Sequence, residues 1–206
     1  VNIIVDYGLG NLKSLQNALA KAGITAEISQ DQEQIAKASF LILPGVGAFR
    51  DAISRLEETG IGNLVKAHAA QGKYLMGICL GMQLLYEKSY EYGEYTGLGI
   101  IPGDIVKLTQ EKKVPHMGWN NLVIEREDPL VKYTKTGDYV YFVHSFYAQS
   151  EGSETLAYAM YGEKIPAIVR QGNVIGFQFH PEKSSKVGAN IFKALGEIIN
   201  ENHTGN

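Results

Sequence analysis

Apolar and polar positions change rhythm several times along this chain, and each change marks an element. Asn2–Val5 is a short apolar run that stops at Asp6-Tyr7-Gly8-Leu9-Gly10, as a strand entering a glycine turn does. Leu12, Leu15, Leu19 and Ala22 then recur at helical spacing until Gly23. Residues 25–28 and Phe40–Leu43 read as strands, the second broken by Pro44-Gly45. Ile53 and Leu56 mark a helix closed by Gly60, and Ile61, Leu64, Val65 and His68 mark another closed by Gly72. Tyr74–Ile78 reads as a buried strand and 80–86 as a helix. This alternation predicts a parallel sheet covered by helices.

From about Gly97 the texture shifts. Strand-like pieces at 104–108, Tyr139–His144 and 174–180 sit between Gly, Asn and Asp turns, and a helix is expected around 189–199. The chain therefore reads as one α/β domain over residues 1–206. Its central sheet is mixed and mostly parallel, flanked by helices, with a more antiparallel C-terminal half.

Composition narrows the function. A chain of 206 residues, 45% apolar and 20% charged, suits one soluble globular domain. A formal charge of -3 and the absence of a long Lys/Arg cluster argue against a nucleic-acid binder. No apolar run approaches the roughly 18 residues of a membrane span. The first residues have no basic stretch or small-residue cleavage site, so they read as a strand and not a signal peptide. With a single cysteine no intramolecular disulfide forms, which fits the cytoplasm, and any thiol chemistry must fall on Cys79. No Cys pair or His-Glu-x-x-His spacing points to a metal, and no cofactor is expected.

Gly77-Ile78-Cys79-Leu80-Gly81 has the form Gly-x-nucleophile-x-Gly between a buried strand and a helix, the context of a nucleophile elbow. The turn crowds any Cβ at the two glycine positions and strains the backbone of Cys79. A helix N-terminus beside the thiol favours the thiolate, and the Leu80 N–H is aimed to stabilise an oxyanion. The competing reading is a small buried cysteine packed as a hydrophobe.

Five histidines compete as general base. His203 falls in the polar tail Glu201-Asn202-His203-Thr204, and His68 on a helix face beside Ala and Lys. His116 and His144 stand beside strands and remain open. His180 is preferred because it closes the run Val174-Ile175-Gly176-Phe177-Gln178-Phe179, Pro181 stops pairing there, and Glu182 follows where a turn brings its carboxylate onto the imidazole.

Gly77-Ile78-Cys79-Leu80-Gly81-Met82-Gln83 followed roughly a hundred residues later by His180-Pro181-Glu182 resembles the class I, triad-type glutamine amidotransferases. Four further segments resemble the glutaminase subunits of imidazole glycerol phosphate synthases. They are Asp6-Tyr7-Gly8-Leu9-Gly10-Asn11-Leu12, Pro44-Gly45-Val46-Gly47-Ala48-Phe49, Pro115-His116-Met117-Gly118-Trp119-Asn120 and Tyr141-Phe142-Val143-His144-Ser145. The resemblance implies the flavodoxin-like fold of that class. It also implies hydrolysis of glutamine through a Cys79 thioester, with ammonia passed to a (β/α)8-barrel synthase subunit in a heterodimer. The products would be imidazole glycerol phosphate, for histidine synthesis, and an aminoimidazole carboxamide ribotide. By the same resemblance Gly47, Gln83, Ser145 and Phe146 are glutamine-binding positions, and Asn11, Met117, Trp119, Tyr141 and Lys183 face the synthase. Phe146 stands where relatives often carry Tyr, which leaves only a backbone role there. For Trp119 and Tyr141 the alternative is ordinary core.

The loop Pro44-Gly45-Val46-Gly47 follows a strand and should lie beside Cys79, with the Val46 N–H as second oxyanion donor. Many relatives carry Gly-Gly here, and a β-branched Val resists the positive φ that Gly allows. The resting loop is therefore expected to point a carbonyl inward and leave the oxyanion hole incomplete until the loaded synthase flips the peptide. Three rivals remain: a nucleotide-binding α/β protein, a silent interaction subunit on the same fold, and a different triad amidotransferase such as the glutaminase of pyridoxal phosphate synthesis. The first lacks a complete G-x-G-x-x-G, since Lys13 and Arg50 occupy the last positions.

Overall fold

A computed structural model describes residues 1–109 and 112–203. The first half runs β1 (Asn2–Val5), α1 (Leu12–Lys21), β2 (Ala26–Ser29), α2 (Gln32–Lys37), β3 (Phe40–Leu43), α3 (Phe49–Thr59), α4 (Ile61–Ala70), β4 (Tyr74–Ile78) and α5 (Leu80–Gln83). The second half is strand-rich. It holds β5 (Lys88–Ser89), β6 (Tyr95–Thr96), β7 (Asp104–Lys107), β8 (His116–Asn121), β9 (Val123–Ile124), β10 (Tyr139–His144) and β11 (Phe146–Gln149). It continues with β12 (Thr155–Met160), β13 (Lys164–Gln171), β14 (Val174–Phe177) and the long α6 (Ser185–His203).

Eight strands form the central sheet in the order β2-β1-β3-β4-β14-β13-β12-β9. The first five run parallel, and β13, β12 and β9 add antiparallel strands on one side. The result is the mixed sheet with a more antiparallel C-terminal half that the residue pattern predicts. Alternate residues of the parallel strands supply two cores, because successive side chains leave opposite faces of a strand. Ile4, Ile42, Met76, Ile78, Ile175 and Phe177 pack with Leu15 and Leu19 of α1 and Phe192 and Leu195 of α6. Ile3, Val5, Leu41, Leu43, Leu75 and Val174 pack with Ile35, Ile53, Leu56 and Val65 of α2, α3 and α4. A four-stranded sheet, β11-β7-β5-β6, and the antiparallel pair β8–β10 stand outside the central one. Because β1, β3, β4 and β14 are parallel neighbours, their C-terminal loops all emerge at one edge. Open α/β sheets build their sites at that edge.

Four elements depart from the sequence pattern. Helix α5 stops at Gln83 and does not reach 86. The Leu84 N–H still reaches the Leu80 carbonyl at 3.0 Å, but the Leu85 and Tyr86 N–H groups turn to carbonyls three residues back, Met82 at 3.1 Å and Gln83 at 3.2 Å, while the Leu84 and Leu85 carbonyls accept the N–H groups of Leu98, Ile100 and Ile101. Strand β14 ends at Phe177, short of His180, because the chain changes partners. The Gln178 N–H donates to the Ala167 carbonyl at 2.9 Å and the His180 N–H to the Tyr141 carbonyl at 3.1 Å. Helix α6 is longer than the expected 189–199 and carries the backbone of 201–203, placed in a tail above, as its last turn; Thr204 lies outside the described residues. Helix α2 shows no periodic pattern in the sequence, since Ile35 is its one buried residue; Asp31 caps it by accepting the Gln34 N–H at 2.9 Å.

Candidate functional site

Cys79 sits at the end of β4 with φ 54° and ψ -112°, a backbone conformation costing a non-glycine residue about 1–3 kcal/mol. The surroundings enforce it. Its N–H donates to the Phe177 carbonyl at 2.7 Å. A Cβ on Gly77 would stand 2.6 Å from the Gly81 carbonyl oxygen, and one on Gly81 would collide with the Leu43 carbonyl of β3. Both glycines are therefore demanded by close backbone approach, as the elbow pattern predicts. With α5 reduced to a single turn, however, the helix dipole at the thiol is much weaker than a full helix would supply.

The thiol has buried polar company. Cys79 Sγ lies 3.7 Å from the Val143 carbonyl of β10, and Gln178 Nε2 points at it from 3.9 Å. His180 Nδ1 lies 2.6 Å from Glu182 Oε1, both side chains almost wholly buried. A 3-10 turn at Pro181–Lys183 brings the carboxylate back onto the ring. Burial disfavours the imidazolium, but the nearby Cys79 sulfur and the Glu182 carboxylate outweigh it and raise His180 to about 9. His180 Nε2 nevertheless has no partner at hydrogen-bonding geometry. The thiol is near enough to act on the ring electrostatically but has not closed onto it. Ser184 ties this corner to β10, its hydroxyl donating to the His180 carbonyl at 2.7 Å and accepting the Tyr141 N–H at 3.0 Å.

Gln83 is buried beside Cys79. Its amide nitrogen donates to the Phe146 carbonyl at 3.0 Å and to Gln178 Oε1 at 3.1 Å, so Gln83 and the Ser145-Phe146 segment share one polar cluster. The 44–47 loop closes over the elbow from β3. Gly45 and Gly47 have φ of 150° and 110°, whereas Val46 keeps a negative φ. The Gly45 carbonyl accepts the Leu80 N–H at 3.2 Å. A trans peptide carries its carbonyl and N–H on opposite edges, so the Val46 N–H is turned away from Leu80. Tyr7 anchors the loop from the β1 side. Its buried hydroxyl donates to the Pro44 carbonyl at 2.5 Å and lies where a Cβ of residue 45 would be. Burial, and Cys79 after it, push that phenol well above the usual range. The 780 Å³ cleft lined by Asp6, Tyr7, Gly8, Asp51, Arg55 and Glu58 reaches neither Cys79 nor His180.

The β8–β10 pair faces outward with Met117 and Trp119, 62% and 52% exposed, so Trp119 is not core. Tyr141, half-buried, is paired with it in register and meets its ring edge-on at 6.0 Å. Asn11 and Lys183 are exposed as well; Asn11 also caps α1, accepting the Ser14 N–H at 3.4 Å.

Of the other histidines, His68 is buried with Nε2 on the Tyr74 carbonyl at 2.7 Å. His116 and His144 are buried and bonded to each other at 2.8 Å. Sequence reasoning passed over Tyr7, Gln178, Ser184 and also Glu91, a buried carboxylate that accepts the Phe49 N–H at 3.0 Å. Only Gln178 left a trace, a polar residue inside an apolar run. No group of three or more His, Cys, Asp or Glu side chains among the described residues is placed to hold a metal ion.

Comparison with known proteins gives the family. The family model described as "Glutamine amidotransferase class-I" matches residues 3–195. The imidazole glycerol phosphate synthase subunit HisH of Carboxydothermus hydrogenoformans is 49% identical over 200 residues, covering 97% of this chain and 100% of that protein. The subunit of the same name from Lactococcus lactis is 48% identical over 96% of this chain and 98% of that one. Among solved structures, a glutamine amidotransferase superposes with a TM-score of 0.72 at 24% identity, covering 97% of each chain. PurLQS from Thermotoga maritima superposes with a TM-score of 0.74 at 21% identity, covering 96% of this chain and 98% of that one. These last two speak for the fold. Taken with the full-length relatives, they show that the chain belongs to the class I glutamine amidotransferases and, within them, to the family of the imidazole glycerol phosphate synthase subunit HisH.

Proposed function

We propose that Cys79, His180 and Glu182 carry out the glutaminase reaction of this family and that the 44–47 loop controls it. The observation that carries the reading is the Glu182–His180 pair at 2.6 Å behind a cysteine on a strained elbow. His180 takes the thiol proton, and Cys79 Sγ attacks the side-chain carboxamide carbon of glutamine. Glu182 holds the ring with Nε2 toward the thiol and stabilises the imidazolium. The imidazolium then protonates the leaving nitrogen, and ammonia departs from a γ-glutamyl thioester. A water molecule, deprotonated by His180, cleaves the thioester to glutamate. Gly47, Gln83 and the backbone of Ser145 and Phe146 hold the substrate.

Tetrahedral intermediates on both sides of the thioester need oxyanion donors, and the resting loop supplies none. Gly45 occupies the Leu80 N–H, and the Val46 N–H faces away. Each missing donor costs about 100- to 1,000-fold in rate. Flipping the Gly45–Val46 peptide frees one donor and adds the other. The trigger is a (β/α)8-barrel synthase subunit with its nucleotide ligand, docked on Asn11, Met117, Trp119, Tyr141 and Lys183. That subunit consumes the ammonia to form imidazole glycerol phosphate and aminoimidazole carboxamide ribotide in the cytoplasm, one such subunit pairing with the single glutaminase domain of 1–206. No helix among the described residues is long and apolar enough to cross a membrane.

The test is glutamate release from glutamine by this chain, alone and with the loaded barrel subunit. A large rise on adding the partner, lost in Cys79→Ala, supports triad, partner and gating together. Activity indifferent to the partner removes the gating. No hydrolysis under either condition removes the glutaminase reading.

A further inference from the structure

His116 and His144 take no part in the acid–base steps above, yet the two buried rings form with Asn120 a continuous line of hydrogen bonds. Its direction is forced from one end. His144 Nδ1 lies 2.8 Å from the Phe146 carbonyl, which can only accept, so that nitrogen carries the proton. His144 Nε2 is then an acceptor, and His116 Nδ1, 2.8 Å away, must be the donor. His116 Nε2 in turn accepts from Asn120 Nδ2 at 3.2 Å, and the same amide nitrogen donates to the Met160 carbonyl at 3.0 Å. Phe142 and Tyr161 stack on the His116 ring, centroids 4.4 and 4.0 Å away, and fix its plane. Burial lowers His116 to about 4. It lowers His144 to about 3 against the pull of the Phe146 carbonyl, with His116 and His180 adding to the drop. Neither ring charges near neutral pH.

The two ends of the line matter. One lies on the inward side of β8, whose outward side carries Met117 and Trp119. The other is the Phe146 carbonyl, which also accepts from Gln83. Resting on the reading of Gln83 and Phe146 as glutamine-binding positions, we propose that His116 and His144 are positioning residues, a fixed-tautomer relay that holds the Phe146 carbonyl, and through it Gln83, in the shape that binds glutamine. The relay roots this wall of the substrate pocket in the strand that faces the synthase. Its loss therefore falls on substrate binding and not on the thiol.

Nitrogen-15 histidine spectra of the intact chain at pH 7 should show both rings as Nδ1–H tautomers, the less common form for a free imidazole. Kinetics of the complex with the loaded barrel subunit should then separate KM from kcat. His144→Leu is expected to raise the KM for glutamine about tenfold, the scale of one lost buried hydrogen bond. It should leave kcat and the rate of Cys79 alkylation by iodoacetamide within a factor of about two, the scatter expected where no interaction is lost. His144→Asn, whose amide nitrogen takes the place of Nδ1, should restore KM. If His144→Leu does not fold, His116→Ala is read in the same way. An Nε2–H tautomer at His144, a charged ring, an unchanged KM, or a kcat that falls together with alkylation overturns the relay. If the wild-type complex releases no glutamate, the glutaminase reading itself has failed, and the spectra still decide the tautomers.

Discussion

Replacing Val46 by glycine tests the loop at the one bond on which the proposed control depends. Turning the Gly45–Val46 peptide over rotates ψ of residue 45 and φ of residue 46 by about half a turn. Gly45, at φ 150°, tolerates the change, but Val46 starts from negative φ and must enter the positive region. For an L-residue that costs about 1–2 kcal/mol, and more with a branched Cβ. Glycine removes the penalty. A 1–2 kcal/mol shift in favour of the flipped peptide multiplies its resting population about 5- to 30-fold. Glutamate release by the free Val46→Gly subunit should rise by the same factor.

On the proposed gating the peptide is already turned in the loaded complex, so the same variant should gain little there, and the stimulation by the partner should shrink accordingly. Glycine also loosens the unfolded chain and weakens stability by about 0.5–1 kcal/mol. A thermal melt run in parallel separates that effect. Unchanged free-subunit activity would refute the strain argument. An equal rise with and without partner would show that Val46 acts on catalysis itself and not on the resting equilibrium.

The remaining predictions concern the elbow, the base and the docking face. His180 is held at about 9 by Cys79 and Glu182 against burial, so the imidazolium that would protonate the leaving nitrogen survives to that pH and is lost above it. Glu182→Gln removes one of the raising influences and should move the alkaline limb of the kcat profile to lower pH; a limb that stays in place refutes the assignment. Gly81→Ala drives a Cβ into the Leu43 carbonyl, backbone against backbone. It should cost about 3 kcal/mol, the upper end for overpacking, or about 6–12 °C in Tm, and an unchanged melt would contradict the close approach. Trp119 is the single tryptophan and half exposed, so docking of the barrel subunit should shift its emission to the blue. The shift should be absent from Trp119→Phe.

What could be read from the sequence was what depends on neighbours along the chain. The β1, β3 and β4 strands, their glycine turns and the elbow glycines follow from local spacing, and Glu182 reaches His180 within one turn. Contacts across the chain were invisible. Helix α5 looked longer because nothing near 84–86 announces that the chain tightens there to three-residue turns and offers its carbonyls to the amides of Leu98, Ile100 and Ile101. The strand read as 174–180 is cut at Phe177 for the same reason, its next partners lying in β13 and β10. Helix α2 buries too little to impose a period. Tyr7 looked like a turn residue, and only the fold brings its hydroxyl to Pro44. His116 and His144 could be suspected as bases but not excluded, since their tautomers depend on the carbonyl of Phe146.

The distribution of freedom around Cys79 explains why control would fall on the oxyanion donors and not on the triad. Cys79 is over-determined: its N–H is bonded to β14, and both elbow glycines are hemmed in by backbone. Displacing it would mean breaking the sheet. The 44–47 loop is the opposite case. Val46 is 42% exposed, its two neighbours are glycines at positive φ, and nothing stands within 4 Å of where a Gly47 Cβ would be. Its one visible restraint on the Gly45–Val46 peptide is the Leu80–Gly45 hydrogen bond, which must break for the hole to form and is worth about 0.5–1.5 kcal/mol net. Added to about 1–2 kcal/mol for turning Val46, the barrier in free energy is small enough for a docked partner to supply and large enough to keep the free subunit idle. Gating through a peptide thus costs little binding energy and leaves the triad assembled.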